Sequence, residues 1–241
     1  MSHTRNPLLN EILHHTHQDP HRRASSLSDF ILGAQDGLVN VLGVAAATSE
    51  VEIVLVAGLA TTFAESISMG AVAFTTTVAD ADLYQSERER EYRHIQEIPA
   101  LEKQEVREIY TGKGFKGELL NRIVETVTAN KDVWVALMMA EEHQLAPIDR
   151  RQALRAAWIV GFSAVLGSLV PLAPFLLLPI GASMLTSVIV TAAVLFLIGA
   201  YKARVTVGHP GRSGLEMAAI GTVSALAGYL VGILLKVPGQ V

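Results

Sequence analysis

The sequence predicts an all-α fold, a polytopic membrane protein of five spans with a cytoplasmic three-helix metal-binding domain inserted between spans 2 and 3. Half of the 241 residues are hydrophobic and only 17% are charged, and the mean hydropathy is +0.36. A typical soluble domain is less apolar and more charged. Five apolar runs approach or exceed the helical length, at about 1.5 Å per residue, that crosses a hydrocarbon layer about 30 Å thick. One polar block separates the second run from the third.

The predicted organisation has four parts. These are an N-terminal segment (1–27), spans 1 and 2 (28–81), a cytoplasmic helical domain (82–155) and spans 3 to 5 (156–241). The first segment is polar and lacks the apolar stretch of a cleavable signal peptide. It holds five of the eight histidines, which fits a metal-collecting tail, an anchor lying on the membrane surface or a solvated terminus.

The first two spans are predicted at Phe30–Thr48 and Ile53–Ala79. The turn between them is very short, so the two helices run antiparallel. Gly33 and Gly37 repeat a four-residue spacing that would let another helix approach closely. The second run exceeds one bilayer crossing and is predicted to continue as a helix into the charged segment that follows, until Pro99 stops it.

Polar side chains within these two spans are candidates for an ion pathway. Asp36 and Asn40 share one helical face, and so do Glu65 and Met69. An ionisable group at membrane depth costs at least about 2.5–3.5 kcal/mol, so it needs a partner, a water-filled cavity or a ligand. Carboxylate, amide and thioether groups together suit Fe²⁺ or Mn²⁺ in passage, although a Met in a helix is more often ordinary packing.

The polar block is predicted to form helices near Leu101–Tyr110, Glu118–Ala129 and Val133–Leu145. Side chains that could bind a metal recur along its helices at three- and four-residue steps: Glu87, Glu91, His94 and Glu97, then Glu102, Glu105 and Glu108, and then Met138 and Glu142 with Glu141 and His143 beside them. Like charges at these spacings repel, and a divalent first-row cation between the helices would turn repulsion into coordination. Interleaved arginines leave open the alternative of a solvated, charged surface.

Three further spans are predicted at Ala156–Leu178, Gly181–Ala200 and Leu215–Leu235. The first contains Pro171 and Pro174, which would kink it unless neighbouring groups satisfy the freed carbonyl oxygens. With the N-terminus in the cytoplasm, all of the nineteen Lys and Arg residues except one fall on the cytoplasmic side. The positive-inside rule therefore predicts a cytoplasmic N-terminus and polar block, and an external C-terminus.

Composition excludes some functions. The chain has no cysteine, which excludes disulfides and thiolate metal sites. Its net charge of −4 argues against a nucleic-acid partner.

Four segments carry a resemblance to a known family. They are SDFILGAQDGLVNVLGVAA, ESISMGA, E-x-x-H-I-x-x-x-P-x-x-E-x-x-E-V and MMAEEHQL, and their order and spacing resemble the vacuolar iron transporter family from about Ser28 onward. The resemblance implies five spans, a homodimer with its pathway between the paired first and second spans, and a cytoplasmic metal-binding domain. It also implies export of Fe²⁺, often with Mn²⁺, from the cytosol in exchange for protons.

The resemblance assigns roles to residues of this chain. Asp36 and Met69 match the pathway residues, and the ligands of the soluble domain are matched by Glu91, Glu102, Glu105, Met138 and Glu142. His94 stands where the family is expected to have a glutamate. The substitution keeps a ligand, lowers the negative charge of the site and makes metal loading more sensitive to pH near neutrality.

The predicted function is thus a secondary transporter, not an enzyme, with Fe²⁺ and Mn²⁺ as substrates and Zn²⁺ and Co²⁺ as further candidate ions. Membrane lipid, protons and a second copy of the chain are the expected partners, and no prosthetic group is expected. The expected location is the plasma membrane of a prokaryote or the vacuolar membrane of a eukaryote.

The alternative function is that of a membrane-anchored, ferritin-like di-iron ferroxidase, because Glu91-x-x-His94 has the spacing of di-iron bundles. Those bundles need a second such motif, whereas Glu102-x-x-Glu105 ends in an acid.

Overall fold

The computed structural model describes residues 20–46 and 50–234, which are helical with short connections and contain no strand. The helices are α1 (Pro20–Ala46), α2 (Val51–Glu97), α3 (Pro99–Gly112), α4 (Gly117–Thr128), α5 (Lys131–Glu141), α6 (Arg151–Leu172), α7 (Ile180–Val205) and α8 (Pro210–Leu234). One 3₁₀ turn, Ala173–Leu176, follows α6. The predicted all-α class is confirmed. Predictions for residues 1–19 lie outside the described ranges.

The chain divides into two compact units. The first comprises Met1–Ala73 and Leu154–Val241, and the second comprises Phe74–Ala153. The 47-residue helix α2 contributes to both. The predicted division at residue 82 follows the change in composition, whereas the division by packing falls earlier, within the same helix.

Three segments among the described residues are long and apolar enough to cross a membrane: Val51–Glu97, Arg151–Leu176 and Ile180–Val205. At about 1.5 Å per residue α2 is about 70 Å long, more than twice the hydrocarbon thickness. Helices α1 and α8 occupy the predicted first and fifth spans but are not among these three. The five-span topology and its inserted cytoplasmic domain therefore stay predictions.

Carbonyl groups around the prolines at the end of α6 receive hydrogen bonds from α7. The hydroxyl of Ser187 donates to the carbonyl oxygen of Pro171, which lies inside the last turn of α6. Ser183 Oγ lies 3.1 Å from the carbonyl oxygen of Pro174 and 2.8 Å from that of Leu178. The carbonyl groups that Pro171 and Pro174 leave without a backbone donor are those four residues earlier, of Gly167 and Val170. The two serines bond other carbonyl groups at the end of this span, so the compensation of the freed ones stays a prediction.

Helices α1 and α6 pack with their backbones nearly in contact. A Cβ atom placed on Gly33 or Gly37 of α1 would collide with backbone and serine atoms of α6. In the opposite direction, a Cβ atom on Gly167 of α6 would lie 3.1 Å from both the Cα and the carbonyl carbon of Ala34, and closer still to its oxygen. The close approach predicted for the two α1 glycines is confirmed.

Replacing Gly167 with Ala should destabilise the first unit by about 1–3 kcal/mol, the usual cost of overpacking. The atoms that a methyl group would meet belong to the backbone of Ala34 and cannot rotate away. Thermal unfolding of the detergent-solubilised protein measures the effect. Gly181→Ala is the matched control, because no described atom lies within 4 Å of a Cβ atom built there. Equal midpoints for the two variants would contradict the tight packing of α1 on α6.

Candidate metal centre

The second unit has a small apolar core to which four helices contribute. Its buried residues include Ile95 of α2, Val106 of α3, Val124 of α4 and Trp134 of α5. The three helices predicted for the polar block are present, and the C-terminal half of α2 packs with them as a fourth. Charged residues surround Ile95 in the sequence, which is why that half of α2 has no clear apolar pattern.

Two glutamates of this unit are almost completely buried. Glu91 of α2 and Glu102 of α3 are each 2% exposed, and their carboxyl groups lie close enough for Glu91 to act on the proton affinity of Glu102. Within the part of the chain that the structure describes, Oε1 of Glu91 and Oε2 of Glu102 have no hydrogen-bond partner. Burying a charged or unpaired polar group is costly, so these two oxygen atoms are suited to receive a cation.

An imidazole lies beside each buried carboxyl group. Nε2 of His143 is 3.2 Å from Oε2 of Glu91, and Nδ1 of His94 is 3.4 Å from Oε1 of Glu102. Potential ligand atoms of Glu91, Glu142 and His143 all lie within 4.8 Å of one another. Carboxylate oxygen and imidazole nitrogen together form a ligand set for divalent first-row metals.

A tight turn after α5 positions two of these side chains. The amide groups of Glu142 and His143 both donate to the carbonyl oxygen of Met138, over 3.0 and 3.2 Å. Gln144 then adopts a φ of 54°, in the left-handed region that a non-glycine residue seldom occupies. Helix α5 therefore ends at Glu141, and the predicted continuation to Leu145 is wrong. The turn directs His143 toward Glu91.

Burial and mutual repulsion of the acids act on their proton affinity. Burial, the neighbouring carboxyl group of Glu91 and the charges of Glu105 and Glu142 raise the pKa of Glu102 to about 8. Partial desolvation of its carboxyl group and the charge of Glu105 also raise the pKa of Glu142, a residue that is exposed overall, while His143 opposes the shift. A bound cation would relieve this repulsion.

A second carboxyl pair lies in the first unit. The side chains of Asp36 on α1 and Glu65 on α2 lie close enough to interact electrostatically. Oε2 of Glu65 is buried, and no residue in the ranges 20–46 and 50–234 provides it with a partner. Two neighbouring carboxylates repel each other, which favours a proton on one of them. The pair can therefore hold one shared proton or, when both groups are ionised, a cation.

The comparisons with known proteins agree over almost the whole chain. The model of the VIT family matches residues 27–233. The chain belongs to the VIT family. Vacuolar iron transporter 1 of Oryza sativa subsp. japonica is 34% identical over 222 residues, covering 90% of this chain and 88% of that protein. Vacuolar iron transporter 1 of Arabidopsis thaliana is 33% identical with the same coverage, and the vacuolar iron transporter of Plasmodium falciparum (isolate 3D7) is 28% identical over 88% and 82%.

In this VIT-family chain the structure gathers most of the predicted ligands but not all. Contacts or charges link five of them: Glu91, His94, Glu102, Glu105 and Glu142. Met138 is fully buried in the apolar core. In the first unit Asp36 and Glu65 are brought together, whereas Asn40 is exposed and Met69 half-buried. For all of these residues, in both units, the role as a metal ligand stays a prediction.

His143 belongs to the cluster, although the resemblance to the family did not assign it as a ligand. Its signal was in the sequence, since it follows Glu142 in the segment MMAEEHQL. Helical spacing places adjacent residues about 100° apart, so a helix that continued through the segment would separate their side chains. Only a chain that leaves the helix at Glu141 lets both side chains approach the same glutamate.

Raising the pH should destabilise the metal-free second unit of this VIT-family chain. Glu102 titrates at 4.5 when unperturbed and at about 8 here, so the folded unit binds this proton more tightly than the unfolded chain does. The stabilisation is complete below pH 4.5 and is lost as the pH rises through about 8. Denaturation in a chelator, followed by the fluorescence of the buried Trp134 in a Trp158→Phe background, measures the effect.

Glu102→Gln should remove this component of the pH dependence, because the amide does not titrate and can donate a hydrogen bond to Glu91. At pH 8.5 the metal-free variant should be more stable than the parent. Glu108→Gln, on an exposed residue of the same helix, should behave like the parent. Parallel pH profiles for the parent and Glu102→Gln would contradict the assignment of the shift to Glu102.

Proposed function

We propose that this chain transports Fe²⁺, and Mn²⁺ as well, out of the cytosol in exchange for protons. The names of its relatives support an iron substrate, since proteins called vacuolar iron transporter align along nearly all of the chain. The observation that carries the proposal is the pair of neighbouring carboxyl groups of Asp36 and Glu65, which lies on two helices rich in apolar residues.

The carboxyl pair provides a chemical basis for exchange. A divalent cation bound between Asp36 and Glu65 is best neutralised when both carboxyl groups are ionised, so its arrival displaces the shared proton. A proton that returns from the acidic side of the membrane weakens the site and favours release of the ion. Binding and coupling thus use the same two side chains. Asn40 and Met69 supply further oxygen and sulfur ligands in this proposal.

The second unit collects the ion before transport in this scheme. Its acid cluster faces the cytosol in the orientation that the basic residues favour, with the N-terminus inside and the C-terminus outside. The ligands proposed for it are Glu91, His94, Glu102, Glu105, Met138 and Glu142. The proposed assembly is a homodimer with paired first and second helices. The large apolar side chains that α2 exposes, Val56, Phe63 and Ile67 among them, are compatible with a partner helix or with lipid.

Uptake by proteoliposomes tests the proposal. Fe²⁺, Mn²⁺ and Zn²⁺ are supplied on one side, with and without a pH gradient that is acidic on the other side. Uptake of Fe²⁺ and Mn²⁺ that rises with the gradient, together with alkalinisation of the acidic side, is the expected result. Flux that is indifferent to the gradient would refute proton exchange. Consumption of oxygen with Fe²⁺ in the absence of any flux would favour the ferroxidase.

A further inference from the structure

We propose that His143 is a direct metal ligand and gives the cluster a nitrogen-containing position that prefers Fe²⁺-like ions to Mn²⁺. The position consists of Glu91, Glu142 and His143, whose ligand atoms lie within 4.8 Å of one another. The inference rests on the proposed function, since it assigns the ion preference of the site that loads the transporter.

The burial of the three residues suits an ion that enters from solvent. Glu142 is exposed, the His143 side chain is 26% exposed and Glu91 is buried. An ion reaching Glu142 therefore meets His143 next and Glu91 last. Oε1 of Glu91 provides independent support, because this buried atom has no hydrogen-bond partner among the residues described.

An ion pair between His143 and Glu91 would be the simpler explanation of their contact. Such a pair occupies Oε2 of Glu91, at 3.2 Å, but leaves Oε1 buried and unsatisfied. A metal ion bound to Glu91, Glu142 and His143 can use that oxygen atom. The ion pair thus accounts for one of the two carboxylate oxygens, whereas metal binding can involve both.

The second imidazole of the cluster belongs to the other buried carboxyl group. His94 contacts Glu102, with 3.4 Å between Nδ1 and Oε1, and His143 contacts Glu91. The loss of one imidazole therefore leaves the other pair in place, and the two contributions can be measured separately.

The preference follows from the chemistry of the ligands. Carboxylate oxygens suit Mg²⁺ and Mn²⁺, whereas imidazole nitrogen suits Fe, Ni, Cu and Zn, and affinity increases from Mn²⁺ through Fe²⁺ to Co²⁺. A position with one nitrogen and two carboxylate ligands should therefore discriminate against Mn²⁺ more strongly than an all-oxygen cluster. Co²⁺, which is stable in air, is a suitable substitute for Fe²⁺.

The test compares Co²⁺ and Mn²⁺ binding by the full chain in detergent. His143→Gln, which retains a hydrogen-bond donor for Glu91, should weaken Co²⁺ binding at least about tenfold and Mn²⁺ binding less than about threefold. Glu141→Gln is the matched control. Glu141 ends α5 immediately before the turn, is exposed and pairs with Lys113, so its variant should keep the wild-type affinity ratio.

A spectroscopic measurement identifies the nitrogen directly. Electron spin-echo spectra of bound Mn²⁺ in a His94→Gln background should show coupling to ¹⁴N, and the further change His143→Gln should remove that component. Spectra and affinity ratios that do not change with His143→Gln would overturn the role of His143, although the cluster could still bind metal through its other residues. If the wild-type chain binds neither ion yet still transports, the inference fails and the proposed function stands. If it neither binds nor transports, both fail.

Discussion

Asp36→Asn should abolish metal flux driven by a pH gradient, with a residual rate at the level of protein-free liposomes. The amide keeps the size of the side chain and can hydrogen-bond to Glu65, its neighbour in the structure. It cannot lose a proton, however, so the pair no longer provides two carboxylates for a divalent cation. Uptake of Fe²⁺ and Mn²⁺ by proteoliposomes, with the internal pH recorded, is the measurement.

The control for this variant is Asp29→Asn. Asp29 lies two helical turns earlier on α1, and the charge that acts on it is that of Arg155 rather than of Glu65. The same chemical change there should leave most of the flux. Both variants should load the second unit with Mn²⁺ as the wild type does, because its ligands are unaltered. Near wild-type, gradient-driven flux by Asp36→Asn would assign a structural role to the carboxyl pair and remove the basis of the proposed coupling.

Local sequence signals predicted the boundaries of several helices well. Pro99 was predicted to stop α2, and α2 ends at Glu97 with α3 beginning at Pro99 itself. Glycines also mark the break between α3 and α4. Gly114 and Gly117 have φ values of 97° and 62°, which a residue with a Cβ atom seldom adopts. Proline and glycine act through their own backbone, so a single sequence reveals them.

Tertiary contacts determine two features that the sequence could not show, the burial of Glu91 and the end of α5. The spacing of acids along α2 is the same for exposed and buried glutamates, and only the packing of Ile95 against α3 to α5 buries Glu91. The choice between a solvated surface and a metal site depended on that burial. The end of α5 likewise depends on a turn with a positive φ at Gln144, a residue that does not signal such a conformation.

Glu91→Gln combined with Glu102→Gln should weaken Co²⁺ and Mn²⁺ binding by the second unit at least about a hundredfold. Both carboxyl groups are buried, each has an oxygen atom without a hydrogen-bond partner among the described residues, and the charge of Glu91 acts on Glu102. Removal of two ligands should cost more than the roughly 10–100-fold lost when a supporting residue of a metal site is changed. Calorimetric titration of the full chain measures the loss.

A matched control is available on the same two helices. Glu89 on α2 and Glu108 on α3 are exposed and accept hydrogen bonds from the glutamine one turn earlier, at 2.7 and 3.1 Å. Their double Gln variant removes the same formal charge and should bind metal within a factor of about three of the wild type, as surface electrostatics are weak and screened. Without metal, the buried double variant should also unfold at a higher temperature than the wild type at pH 8.5, since two mutually repelling buried acids are gone. Tight binding of Co²⁺ by the double variant Glu91→Gln, Glu102→Gln would show that the buried pair stabilises the fold rather than binding the ion.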